Sequence, residues 1–283
     1  MRIIHETDVQ YGEAGDIPLL LDILRPENPG SEPRPAIVYV HGGAWMAGDR
    51  SYGYIPNLLL VKQGFFTVTI SYRFSQIARY PAQIHDVKAA IRFLRAHAEE
   101  YHIDPDRIGI WGHSAGGHLS ALAGLNGDYP ELEGESGNPG YSSKVQAVVP
   151  ISPPTDFTGP WVTVEGREVQ LEELQAITQL LGVLPGTNPT LTRLVSPAQL
   201  VQPGDAPSLI LHGTVDEVVP YHQAELLRDA ELAAGNEVTL LRMPDVTHAA
   251  QLHLNPEHVD PFGTKPAVIE FFTRHLGPVP AAE

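Results

Sequence analysis

The sequence contains no cysteine, which excludes disulfide cross-links and thiolate chemistry. Basic residues are also scarce, because 18 Lys and Arg stand against 34 Asp and Glu and give a net charge of -16. This balance repels the phosphates of nucleic acids and anionic membrane surfaces. We therefore expect no nucleic acid among the partners of this chain.

Long hydrophobic runs are absent as well, since no apolar stretch approaches the roughly 20 residues that a membrane-spanning helix needs. The amino-terminal segment lacks a basic region followed by an apolar one, which is the pattern of a secretory signal. We expect a soluble protein without a membrane span and favour a cytoplasmic location. The oligomeric state stays open.

The sequence does contain a series of short apolar runs rich in β-branched residues. Their continuous rather than alternating apolar character is typical of strands covered on both faces, as in a parallel sheet. The runs lie at 36–40, 66–72, 107–111, 145–151, 208–211 and 238–243. The stretch 16–25 is predicted to add antiparallel strands at one edge.

Helical patterns separate these runs. Apolar residues repeat at intervals of three and four in 82–97, and further helices are predicted at 225–234 and 267–276. Alternating strands and helices predict one α/β domain over the whole chain, residues 1–283, with a doubly wound sheet. The segment 153–202 interrupts the alternation and contains one predicted helix, 171–181. It is predicted to form a lid over a site, or alternatively a surface excursion with no role.

The strongest local signal is Gly-His-Ser-Ala-Gly at 112–116, directly after the predicted strand 107–111. A helical stretch of small residues, 117–124, follows it. Small residues around a serine allow the sharp strand-to-helix turn that exposes its Oγ at the edge of an α/β sheet. Ser114 is therefore the candidate nucleophile, and the helix N-terminus beneath it favours developing negative charge.

A second motif, His-Gly-Gly-Ala-Trp at 41–45, follows the predicted strand 36–40. Its glycines permit a tight turn whose backbone N–H groups, with that of Ala115, would bind the oxyanion of a tetrahedral intermediate. Taken alone, the glycines suit an ordinary turn between a strand and a helix equally well. The nearby serine motif favours the oxyanion hole.

Together these motifs resemble the α/β-hydrolase-fold esterases of the hormone-sensitive-lipase-like branch, and most closely the bacterial carboxylesterases that include acetyl-xylan and feruloyl esterases. The resemblance extends from about residue 20 to residue 276. It rests on HGGAW at 41–45, YR at 72–73, YPAQIHDVKAAIRFL at 80–94, DPDRIGIWGHSAGGHLSAL at 104–122, HGTVDEVVP at 212–220 and TH at 247–248.

The resemblance implies an α/β-hydrolase fold, with a mostly parallel sheet, helices on both faces and a small lid insertion. It also implies that the N–H groups of Gly43 and Ala44 join that of Ala115 in the oxyanion hole. Many relatives carry HGGG where this sequence has HGGA. The methyl group of Ala44 reduces the freedom of the backbone at that position.

The acid follows from chain order, which in this fold is Ser, then acid, then His. Asp216 comes after the predicted strand 208–211, and both this position and the family pattern favour it. It would accept a hydrogen bond from the Nδ1–H of the histidine. Glu217 is the adjacent competitor, and Asp205 and Asp245 are remoter ones.

The candidate base is His248, which comes directly after the last predicted strand, 238–243. His253 and His258 also lie nearby, so a metal site is the alternative. A spacing of five places successive side chains about 140° apart on a helix, where they do not converge on one ion. We therefore expect neither a metal nor another cofactor.

These residues predict an enzyme that hydrolyses short-chain carboxylic esters, with a small-molecule ester as its substrate. One alternative is an arylformamidase, since arylformamidases also resemble HGG-x-W with GHSAG. Another is a non-catalytic ligand-binding protein with the same fold. Whether Trp45 and Trp161 line a substrate pocket or belong to the core stays open.

Overall fold

A computed structural model describes residues 1–28, 30–125, 127, 129–158 and 171–279. Its strands form one sheet in the order β1-β2-β4-β3-β5-β6-β7-β8. The strands are β1 (Ile3–Ala14), β2 (Ile17–Pro26), β3 (Arg34–Val40), β4 (Phe66–Ile70), β5 (Ile103–His113), β6 (Ala147–Ile151), β7 (Ser208–Gly213) and β8 (Val238–Met243). All pairs from β4 to β8 are parallel, while β1 and β2 are antiparallel to their neighbours. The sheet is therefore mostly parallel with an antiparallel edge, as predicted.

Helices cover both faces of this sheet. They are α1 (Tyr54–Val61), α2 (Ala82–Ala96), α3 (Ala98–Tyr101), α4 (Ala115–Ala123), α5 (Pro130–Glu133), α6 (Leu171–Leu181), α7 (Pro189–Leu194), α8 (His222–Ala233) and α9 (Thr264–Leu276). Successive side chains of a strand point to opposite faces. Val38 of β3 accordingly packs in the core beneath α2 and α4, whereas Ile37 and Tyr39 pack in the core beneath α1 and α9.

The predicted apolar stripe of α2 is buried, and one polar residue of the same helix is buried with it. Asp86 has no exposed surface and accepts hydrogen bonds from the backbone N–H (2.9 Å) and the guanidinium of Arg73. This pair ties the segment after β4 to α2. It therefore fixes the path of the chain between β4 and α2.

The segment between β6 and β7 contains α6, at the bounds predicted for its helix, followed by α7. Tyr80 fastens both helices, because its N–H donates to Leu180 O (2.9 Å) and its hydroxyl donates to Leu194 O (2.8 Å). Trp161 lies outside the described residues. Among the residues that the structure describes, none of the helices is both long and apolar enough to cross a membrane.

Candidate active site

Ser114 occupies the turn between β5 and α4, as the sequence predicts. Its backbone is strained, with φ 56° and ψ -121°, a conformation that L-residues rarely adopt. Two hydrogen bonds hold it: Ser114 N–H donates to Ile151 O (2.8 Å), and His118 N–H donates to Ser114 O (2.9 Å). The strain places the hydroxyl at the carboxyl edge of the sheet.

A glycine is required immediately after this turn. A Cβ on Gly116 would lie 2.0 Å from the carbonyl oxygen of Val40, where no side chain fits. Hydrogen in place of a methyl group therefore lets α4 start directly against the end of β3. This close approach brings the serine next to the loop that carries the HGGAW motif.

The structure brings the three predicted triad residues together. The hydroxyl of Ser114 donates to Nε2 of His248 over 2.9 Å, and Nδ1 of His248 donates to Asp216, with 2.8 Å to Oδ2 and 3.0 Å to Oδ1. These distances lie within the range for direct proton transfer between a nucleophile and its base. Contact with Asp216 also assigns the proton of neutral His248 to Nδ1, which leaves Nε2 free to accept.

Asp216 receives further donors beyond His248. Its Oδ1 accepts the backbone N–H groups of Val218 (2.9 Å) and Val219 (2.8 Å), and its Oδ2 lies 3.3 Å from Nε2 of His212. Burial raises the pKa of Asp216, but the hydrogen bonds from His212 and His248 outweigh it and hold the pKa well below its usual range. Asp216 therefore stays ionised beside the imidazole.

The contact between His212 and Asp216 was not predicted from the sequence. The side chain of His212 is fully buried, and its Nε2 also donates to the carbonyl oxygen of Val219 (2.9 Å). The available signal was its place four residues before Asp216 in the HGTVD motif, at the end of β7. His212 thus fixes both the carboxylate of Asp216 and the loop that follows it.

The competing residues take other positions. The carboxylate of Glu217 is exposed and accepts the backbone N–H of His248 over 3.3 Å, while Asp205 accepts the N–H of Gln202. The N–H of Asp245 donates to Thr214 in the turn after β8. Among the described residues, the carboxylate that Nδ1 of His248 contacts is that of Asp216.

The alternative of a histidine metal site finds no geometric support. The ring of His253 stacks edge-on against Phe262, and His258 lies beside Asn255 and the carbonyl oxygen of Leu252. Within the described ranges, no group of three or more His, Cys, Asp or Glu side chains is arranged to hold an ion.

The HGGAW loop turns sharply beside Ser114. Gly43 (φ 120°) and Ala44 (φ 52°) both have positive φ, and a Cβ on Gly43 would lie 2.1 Å from Ala47 O. The carbonyl of Gly43 accepts the N–H groups of Met46 and Ala47. Among the described residues, the N–H groups of Gly43, Ala44 and Ala115 have no acceptor. Ala44 adopts a left-handed conformation at a cost of about 1 kcal/mol, which a glycine would avoid.

A cavity of about 600 Å³ opens beside Ser114 and His248. Its aromatic and aliphatic side chains are Tyr39, Tyr52, Ile55, Pro56, Val218 and Leu252. Gln251 and Asn255 add neutral polar groups, and none of the described lining residues is Asp, Glu, Lys or Arg. The cavity therefore suits an uncharged, mainly apolar group.

Trp45 belongs to the core. It is 4% exposed, its Nε1–H donates to Nδ1 of His118 over 3.1 Å, and its ring contacts Phe157. It does not line the cavity beside Ser114. Its role is to anchor the end of the HGGAW loop.

Known proteins resemble this chain in sequence and in fold. The family described as BD-FAE matches residues 21–230, which is most of the chain. The chain belongs to the BD-FAE family. Among curated relatives, Esterase LipC of Mycobacterium tuberculosis is 33% identical over 253 residues, 89% of this chain and 61% of that protein. Esterase LipQ of the same organism is 34% identical, over 87% of this chain and 57% of that protein. This BD-FAE chain thus spans about 60% of the length of these relatives.

Solved structures similar to this BD-FAE chain include a truncated carbohydrate esterase from gut microbiota, with 32% identity, a TM-score of 0.82 and 96% coverage of both chains. Another is esterase Est2 of Thermogutta terrifontis, with 26% identity, a TM-score of 0.76, and coverage of 98% of this chain and 95% of that one. Est2 has also been solved with butyrate bound and phosphonylated by sarin. These similarities confirm the predicted α/β-hydrolase fold and the resemblance to carboxylesterases.

Proposed function

We propose that this chain hydrolyses carboxylic esters through an acyl-enzyme on Ser114. The observation that carries the proposal is the hydrogen-bonded series from Ser114 Oγ through His248 to the buried carboxylate of Asp216. Such a series activates a hydroxyl that is a weak nucleophile by itself. Membership in a family whose relatives are named esterases supports the same conclusion.

In the first half of the reaction, His248 Nε2 takes the hydroxyl proton as Ser114 Oγ attacks the ester carbonyl. The N–H groups of Gly43, Ala44 and Ala115, which have no acceptor among the described residues, stabilise the oxyanion of the tetrahedral intermediate. Asp216 stabilises the imidazolium that forms. When the intermediate collapses, His248 gives its proton to the departing alcohol.

In the second half, His248 accepts a proton from water as the water attacks the acyl-serine. The same N–H groups hold the second oxyanion, and collapse returns the proton to Ser114 and releases the carboxylic acid. His248 thus alternates between base and acid. The nucleophile, the base and the oxyanion donors all belong to the chain itself.

The cavity indicates which esters fit. Apolar walls and the lack of charged side chains among its described lining favour short, uncharged acyl or alcohol groups. The net charge of -16 further disfavours anionic esters at long range. A solved relative with butyrate bound supports the same range of acyl lengths.

The proposal is tested with p-nitrophenyl esters of increasing acyl length and a fluorophosphonate probe. We expect turnover of the short esters and stoichiometric labelling of Ser114, identified by peptide mass spectrometry. Ser114→Ala should lower kcat by about 10³-fold or more while the protein remains folded.

Near wild-type turnover in folded Ser114→Ala would contradict the assignment of the nucleophile. Absence of both labelling and turnover in the wild type would instead favour a non-catalytic binding protein. N-formylkynurenine, tested beside the esters, distinguishes an arylformamidase by its preferred hydrolysis.

A further inference from the structure

His113, the residue immediately before the nucleophile, makes a contact outside the hydrogen-bonded series of Ser114, His248 and Asp216. Its side chain is 9% exposed, and its Nε2 lies 2.9 Å from the backbone carbonyl oxygen of His248. The two imidazole rings are 4.7 Å apart between centroids. The residue that precedes the nucleophile therefore touches the main chain of the base.

The chemistry of this contact fixes the state of His113. A carbonyl oxygen only accepts, so Nε2 of His113 must carry a proton and donate it. Burial, with a further contribution from neighbouring His248, lowers the pKa of His113 to about 3. His113 is therefore a neutral donor at every pH at which His248 acts as a base, and it adds no charge beside the imidazolium.

The position of this contact in the fold matters for the distance between His248 and Ser114. The loop after β8 that carries His248 is joined mainly to the loop of the acid after β7. These hydrogen bonds run from Thr214 N–H to Met243 O (3.0 Å), from Val215 N–H to Val246 O (3.1 Å) and from Asp245 N–H to Thr214 Oγ1 (3.0 Å). They position the base relative to Asp216 but leave its distance from Ser114 undetermined.

The nucleophile lies at the end of β5, and β6 and β7 separate β5 from β8. Sheet hydrogen bonds therefore do not connect Ser114 directly to the loop of His248. The contact from His113 spans this gap, and it joins the main chain of the base to the end of the nucleophile strand.

We propose that His113 is a positioning residue that holds the main chain of His248 at the distance from which Nε2 reaches Ser114. This inference rests on the proposed function, since it concerns the same nucleophile and base. His113 does not touch the reacting atoms. It acts by keeping His248 aligned while the imidazole accepts and returns its proton.

The inference predicts a dependence on the leaving group. A nitrophenolate departs without a proton, whereas ethoxide requires one from His248, so misplacement of the base affects ethyl esters more. We expect His113→Phe to lower kcat/KM by about 10-fold for p-nitrophenyl acetate and about 100-fold for ethyl acetate. The amide N–H of His113→Gln lies where Nε2 was, so this variant should recover to within about threefold of the wild type.

The full chain is used throughout, with thermal unfolding of each variant measured beside its kinetics. His253→Phe, the same substitution in a residue that lies outside the site, should change neither rate. If His113→Phe does not fold, His113→Leu replaces it. Equal losses for the two esters, no loss at all, or no recovery in His113→Gln would overturn the inference. Wild-type turnover is measured first, because its absence would contradict the proposed function rather than the role of His113.

Discussion

At the scale of single residues, Asp216 and Glu217 are adjacent carboxylates in very different environments. Asp216 is buried under donors from His212, His248 and two backbone N–H groups, whereas Glu217 is exposed and accepts a long hydrogen bond from the His248 backbone. Asp216→Asn should lower kcat by about 10³–10⁴-fold, because an amide N–H favours the wrong tautomer of His248. Glu217→Gln retains an acceptor oxygen and should cost little. Reversed effects in steady-state kinetics would show that the neighbouring carboxylate is the acid.

The three histidines between β8 and α9 give a second test at this scale. His248→Ala should abolish turnover, whereas His253→Ala and His258→Ala should keep most of it, since their side chains contact Phe262 and Asn255 instead. In the wild type, kcat/KM should fall on acidification because the base must be unprotonated. The same fall of kcat/KM at acidic pH should persist in His253→Ala and in His258→Ala. An inactive His253→Ala, or loss of activity with EDTA and recovery with zinc, would indicate a metal mechanism.

Motif and chain order were sufficient to predict which residues come together at this site. Ser114 stands in a strand–turn–helix motif, and Asp216 and His248 follow successive strands of a sheet whose carboxyl ends share one edge. The contacts of His212 and His113 were not predictable in the same way. They depend on side-chain direction and on the spacing between loops, which a single sequence does not specify.

At the scale of elements, the pair of Asp86 and Arg73 links α2 to the segment after β4. The side chain of Asp86 is fully buried and that of Arg73 is 17% exposed. Asp86→Asn leaves the guanidinium without its counter-charge, which should lower the free energy of unfolding by about 2–4 kcal/mol. Urea unfolding measures this loss, with exposed Asp16→Asn as a control expected to change little. Equal stability of the two variants would mean that the pair does not brace α2.

Among the elements that were not predicted from the sequence, β1 and α1 each have a physical reason. β1 is an edge strand. Its register against β2 shifts between Glu6 and Val9 and again between Gln10 and Gly12, which breaks the regular alternation of its side chains between the two faces of the sheet. α1 is a helix of eight residues with Pro56 in its first turn, too short and too uniformly apolar to show a helical period. Central strands and amphipathic α2 were predicted because their burial leaves a clear pattern. That residues 153–202 act as a lid within a single domain stays a prediction.

At the scale of the whole molecule, buried titratable groups make stability depend on pH in two opposite directions. Burial lowers the pKa of His118 to about 4, as it lowers that of His113 to about 3, so unfolding at acidic pH takes up protons. These two histidines make stability rise with pH up to about 6.5, where an unfolded histidine titrates. The carboxylate of Glu231 in α8 acts in the opposite sense.

Burial raises the pKa of Glu231 to about 8, and the nearby charge of Asp205 adds to the increase. The native state therefore retains a proton that the unfolded chain has lost between about pH 4.5 and pH 8. Over this window, the group lowers the free energy of unfolding by up to about 1.4 kcal/mol for each unit of increasing pH. Its stabilising contribution is complete below pH 4.5 and is lost as pH rises through 8.

Glu231→Gln should remove the decrease in the free energy of unfolding that Glu231 causes as pH rises. A neutral amide of nearly the same shape needs no proton to remain buried. We expect the variant to match the wild type near pH 5 and to exceed it by roughly 2 kcal/mol or more at pH 8. Urea unfolding of both proteins at pH 5, 6, 7 and 8 measures the difference. Subtracting one curve from the other cancels the contributions of His113 and His118, which both proteins share. A difference that stays constant across these pH values would show that Glu231 is ionised in the native state.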